Sequence, residues 1–142
     1  MVNAGASGAI PRYDFGRMNA HANLYYEEIR NRESDIAAIA KNTGFSADDI
    51  GKIKRHIFID AHDLGAEVPL RFTPDYDMAV SWQRLIDGND IREMDIVLLK
   101  HELYEVKLMA QGYDYATAHD MTDMLYNYTQ YTKELDAKEG IF

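Results

Sequence analysis

Within the stretch LLKHELYEVKLMAQGYDYATAHDMTDML, Leu98 to Leu125, His101, Glu105, His119 and Asp123 interrupt apolar positions at helical spacing. Imidazole nitrogen and carboxylate oxygen together suit a divalent metal such as zinc, manganese or iron. The same residue types can work as an acid and base pair, a carboxylate orienting and charging a histidine. They can also form a buried ion-pair network that only sets helix register. If two antiparallel helices meet at the turn near Gly112 and Tyr113, residues equally far from it lie level. Glu105 then faces His119 and His101 faces Asp123. The zincin pattern is not met, because HELYE has Glu105 where a second His belongs. Glu102 follows His101 on a different face and is read as solvated.

A second group lies in KRHIFIDAHDLG, where His56 and Asp60 share a face at four-residue spacing and His62 follows. Four of the five histidines fall in these two segments, and His21 has no carboxylate at helical spacing on its apolar side. The candidate catalytic set is therefore His56, His62, His101, Glu105 and His119. A metal would fall to His101, Glu105, His119 and Asp123, with zinc or manganese as the cofactor. Arg71 and Arg84 are the candidates for holding a substrate phosphate.

The elements that must position these groups read as helices. Phe15, Met18, Ala22, Tyr25, Tyr26 and Ile29 form a stripe over residues 13–32, and Ser34 is expected to cap a short helix that Gly44 stops. Ser46, followed by Asp48 and Asp49, opens a helix over about 47–61. Gly65, Pro69 and Pro74 make the next stretch an irregular connector, with a short extended piece expected around 68–72. Asp75 or Asp77 starts a helix carrying Trp82, whose indole is expected in the core. Another runs from near Asp90 to Gln111, and a last one from about Tyr115 to Ala137. In the long helix both Met94, Leu98, His101, Glu105 and Leu108 and the opposite set Ile96, Leu99, Leu103, Val106 and Ala110 are mostly apolar, so it is expected to be largely buried. Strand alternation is nearly absent. The class is all-α: a single helical domain of five to six helices with a C-terminal antiparallel hairpin, over residues 13–142, after a linker-like start at residues 1–12.

Composition narrows the function. The chain has 142 residues, enough for one domain with a real core. Cysteine is absent, which excludes disulfides, thiolate nucleophiles and Cys-based zinc sites. No apolar run approaches a membrane span and the first residues lack a secretory pattern, so no membrane partner is expected. The net charge of −9 argues against a broad phosphate-binding surface, leaving nucleic acid only as a substrate. The segment over 35–58 looks like a helix-turn-helix, but its second helix opens with Asp48 and Asp49, which would face phosphates. An ordinary helix corner is the better reading.

Four segments, IKRHIFIDAHDL, LRFTPDYDMAVSWQRLIDG, DIVLLKHELYEVKLM and YDYATAHDM, together resemble a small domain at the C-terminal end of bacterial polymorphic toxins and of phage head-morphogenesis (minor capsid) proteins. The resemblance covers about residues 50–128. By position it points to His56, His62, Arg71, Asp75, Trp82, Arg84, His101, Glu102, Glu105 and His119 as domain-defining. It implies a toxin or effector context in which nucleic-acid cleavage is frequent, with an immunity protein or parent-protein domains as partners. The implied location is the cytoplasm, or delivery from a phage or secretion system. A hydrolase using the His and carboxylate groups is the leading expectation. Its rival is a non-enzymatic helical module whose polar cluster serves packing alone.

Overall fold

A computed structural model describes residue 12 and residues 14–138. The linker-like start expected over residues 1–12 lies outside them except for Arg12. The Arg12 guanidinium is paired with the carboxylates of Asp77 and Asp136. Seven α-helices are described: α1 (Phe15–Asn31), α2 (Asp35–Thr43), α3 (Ala47–Lys54), α4 (Tyr76–Asp87), α5 (Glu93–Ala110), α6 (Tyr115–Asp123) and α7 (Tyr128–Lys138). A π-helical turn, Arg55–Ile59, continues α3. The fold is all-α, with no strand among the described residues. The expected extended piece is reduced to a single antiparallel bridge between His62 and Leu70. No described helix is long and apolar enough to cross a membrane.

Local chemistry sets most boundaries as the sequence implies. Asp14, Ser46, Asp75 and Asp114 each accept a backbone N–H from the residue three positions on, closing the first turns of α1, α3, α4 and α6. Ser34 makes no such bond. Asp35 accepts the Ile36 N–H instead. Gly112 adopts φ +105° between α5 and α6, a conformation that side chains with a Cβ disfavour, and so permits the hairpin.

The helix expected over 115–137 is broken after Asp123. The Thr122 carbonyl accepts the N–H groups of both Leu125 and Tyr126. The Tyr126 carbonyl is spent on His101 Nδ1 at 2.7 Å. Asn127 Oδ1 then accepts from Gln130 N and opens α7. This break raises the helix number from the expected five to six to seven.

The core gathers Tyr26, Ile29, Ile39, Ile50, Ile53, Ile57, Phe58, Trp82, Leu85 and Leu99. Trp82 is fully buried, edge-on to Phe58 with ring centroids 5.2 Å apart, and its Nε1 donates to Asp35 Oδ2 at 3.1 Å. The other oxygen of Asp35 takes Lys54 Nζ at 2.9 Å, so this buried charge is paired as well as hydrogen-bonded. Around this core α5 packs against α3, α4, α6 and α7. With neighbours on several sides, α5 buries eight of its eighteen residues, and four of these, Asp95, His101, Glu102 and Glu105, are polar.

Candidate functional site

Three segments deliver polar side chains to one place. The first is the π turn, which closes with the Asp60 N–H bonding the Arg55 carbonyl at 2.7 Å, five residues back. Consecutive residues of an α-helix point about 100° apart. Here His56, Ile57 and Phe58 are nevertheless all buried. Ile57 and Phe58 fill the core while His56 is aimed at α5, and Asp60, expected on its face, ends exposed.

The second is α5, which brings His101, Glu102 and Glu105. Glu102 is not solvated as expected: it is 6% exposed, and His101 and Glu105 are 3% and 1%. Glu102 stands four residues after Leu98 and three before Glu105, on as regular a helical stripe as His101, and that spacing was the signal that could have placed it. The third is α6, which brings His119 and Asp123. As the distance from the turn predicts, Glu105 meets His119 and His101 meets Asp123, at 2.8 and 3.4 Å.

Glu105 is the hub. Its Oε1 lies 2.7 Å from His56 Nε2, and its Oε2 lies 2.8 Å from His119 Nδ1 and 3.3 Å from His101 Nε2. Burial alone would lift its pKa, but the hydrogen bonds from His101, His119 and His56 hold it far below the usual carboxylate range. Glu102 goes the other way: burial, then the charge of Glu105, pushes it up to about 7. Burial would lower His101, yet the Glu105 hydrogen bond, the Glu102 charge and the Tyr126 carbonyl outweigh it and raise it to about 9. His119 is raised chiefly by its hydrogen bond to Glu105. The cluster thus stores protons on imidazoles beside one firmly ionised acid and one that titrates near neutrality.

A cleft of about 310 Å³ opens over this wall, lined by His101, Glu102, Glu105 and His119 and closed by Phe72, Tyr115 and Tyr128. The His119 side chain is 34% exposed and stacks on Tyr115 with centroids 5.4 Å apart. It is the histidine of the cluster that faces the opening.

His62 does not join the carboxylates. Its Nε2 lies 2.8 Å from the His56 backbone carbonyl and its ring stacks on Phe72, so it buttresses the π turn. Arg84 is also elsewhere: it grips Asp95 with Nε and a terminal nitrogen at 2.8 and 2.7 Å, buried between α4 and α5, and has no reach to a substrate phosphate. Arg71 is exposed beside Phe72, with Nε donating to the Ile59 carbonyl at 2.9 Å. It follows the bridge residue Leu70 and precedes Phe72, which lines the cleft.

Two sets of donor atoms lie close enough to hold an ion, each within 4.8 Å of one another: His101, His119 and Asp123, and His56, Glu102 and Glu105. Nitrogen and carboxylate oxygen in this mixture fit zinc or manganese. No protein family, curated protein or solved structure matches the chain.

Proposed function

We propose that the protein is a metal-dependent hydrolase of the toxin or effector kind that its sequence resemblance implies. The observation that carries this is the convergence of three histidines and three carboxylates, of which His101, Glu102, Glu105 and His119 line an open cleft. An ion held there would polarise the substrate and lower the pKa of a bound water toward neutrality. The chain's own part is to hold the donors in place. Glu105 fixes the three imidazoles, Tyr126 and Asp123 orient two of them from behind, and Phe72 and Tyr115 keep the wall dry enough for charge to act strongly. Arg71, next in sequence to the cleft residue Phe72, is the cation proposed to meet an anionic group of the substrate.

The rival is a helical module in which the cluster only sets packing. It is favoured by the near-complete burial of His56, His101, Glu102 and Glu105. The two separate on the purified chain, stripped with a chelator, reloaded with zinc or manganese and assayed on single-stranded and double-stranded nucleic acid and on simple esters. Metal-restored cleavage, together with growth arrest when the chain is expressed in bacteria, supports the hydrolase. A chain that binds no metal, cleaves nothing and leaves cells unharmed is the structural module.

A further inference from the structure

The histidines of the cluster stand in two groups, His56 on one side and His101 with His119 on the other, and Glu105 and Glu102 each divide their two oxygens between them. Glu105 turns Oε1 to His56 Nε2 at 2.7 Å and Oε2 to His119 Nδ1 at 2.8 Å. Glu102 does the same more loosely, with Oε1 3.8 Å from His56 Nε2 and Oε2 3.7 Å from His101 Nε2. The three-residue spacing on α5 sets both carboxyl groups on one helical face, side by side between the histidine of the π turn and those of α5 and α6. A cluster built for one ion would turn all its donors toward one point. This one has two points, with the same pair of carboxylates between them.

We propose that the cluster binds two divalent cations bridged by Glu105 and Glu102, and that it acts on a phosphoester. The inference rests on the reading of the cluster as a metal centre. His56 Nε2 and one oxygen of each glutamate form one half. His101 Nε2, His119 Nδ1 and the other two oxygens form the second. The groups behind the ligands agree with this division. His101 Nδ1 is 2.7 Å from the Tyr126 carbonyl, which can only accept, so that nitrogen keeps its hydrogen and Nε2 is the one that would give up its proton to an incoming ion. His119 Nε2 lies 3.2 Å from Asp123 Oδ2, which leaves Nδ1 for the ion in the same way. Asp123 is then a positioning residue and not the ligand that the sequence spacing suggests.

Substrate class follows from charge. Two carboxylates against two divalent ions leave the centre positive, and paired ions, commonly about 3.5–4 Å apart, stabilise the attacking and leaving oxygens of an in-line displacement at phosphorus. Water adds to phosphorus, the bond to the leaving oxygen breaks, and the proton lost by the water is balanced by the one the leaving alcohol gains from solvent. Arg71, next in sequence to the cleft residue Phe72, would add a further cation for the anionic substrate.

The test counts ions on the full chain without using activity. Chelator-stripped protein is titrated with Mn(II), bound metal is measured after gel filtration, and the spectrum is recorded by electron paramagnetic resonance. Two ions per chain with an exchange-coupled signal are expected. Asp123→Asn should keep two ions with 10–100-fold weaker affinity, as for loss of a group behind a ligand. One ion per chain, two uncoupled ions, or loss of an ion in Asp123→Asn overturns the bridged pair while leaving a metal-dependent hydrolase standing. No bound ion overturns both. A bis(p-nitrophenyl) phosphate assay of the loaded protein, set beside a carboxylic ester, decides the substrate class: preference for the carboxylic ester overturns the phosphoester assignment.

Discussion

Glu105 and His119, fourteen residues apart on α5 and α6, are joined by a 2.8 Å hydrogen bond across the hairpin. The same carboxylate reaches back to the π turn through His56, so one buried side chain ties three segments together. Removing its charge would strand three imidazoles. Glu105→Gln in the metal-free protein is expected to cost roughly 3–5 kcal/mol, the usual consequence of breaking a buried pair on one side. Denaturant melts check this, and a loss below about 1 kcal/mol would show that the contacts are solvated and weak.

Glu102→Gln is expected to behave oppositely. Burial and the neighbouring Glu105 make the Glu102 charge unfavourable, so a neutral amide of the same shape should leave metal-free stability at pH 8 unchanged or slightly raised. Metal binding should nevertheless be lost. Calorimetric titration with zinc alongside the melts measures both, and destabilisation with intact binding would contradict the assignment.

Stability of the metal-free protein should peak on the acid side of neutrality. Glu102 is raised from 4.5 to about 7, so its contribution is lost as pH climbs between those values. His101 is raised from 6.5 to about 9, so what it contributes below 6.5 disappears as pH approaches 9, and His119 shifts in the same sense. Glu105, held low, acts in reverse and removes stability as pH falls below its ordinary value of 4.5. Melting temperatures across pH 4 to 9.5 should therefore fall on the alkaline side. A flat profile between 6.5 and 9 would mean that His101 is not held protonated by the cluster.

The two arginines should separate cleanly. Arg84→Lys loses the two-pronged grip on buried Asp95 and is expected to lower stability by about 1–3 kcal/mol, leaving KM for any substrate unchanged once the protein is folded. Arg71→Ala should spare stability and raise KM. Equal effects of both on KM would restore Arg84 to the site.

Trp82→Ala should cost on the order of 3–5 kcal/mol, since the indole is fully enclosed and also serves Asp35. Trp82→Phe keeps most of the apolar volume but strands an oxygen of Asp35, and its cost should lie between the two. Tryptophan fluorescence and denaturant melts report both.

Much of this was legible beforehand because period and caps are local properties. The stripe on α1, the stops at Gly44 and Gly112, and the level pairing of Glu105 with His119 all follow from spacing along one or two helices. Three features were not local. Glu102 has the spacing of a buried stripe but the charge of a solvated residue, and the helices packed against α5 decide between the two. The break after Asp123 depends on His101, twenty-five residues away from Tyr126, claiming a carbonyl. Arg84 looked free because its partner Asp95 sits on the next helix, where an acidic first turn already has an adequate local explanation.

The π turn makes the cluster sensitive to residue number as well as residue type. A five-residue ring in a helix holds one more residue than the regular turn around it. Deleting any one position between Arg55 and Ile59 would let the segment relax into an unbroken α-helix, with no foreign side chain introduced. The residues on either side would keep their phase, but a regular turn holds one residue fewer. His56, Ile57 and Phe58 could then no longer all face inward, and the imidazole or a core side chain would lose its place. A frame-preserving loss of a single codon there would uncouple the centre from its scaffold, a lesion that no survey of single amino-acid replacements would reveal.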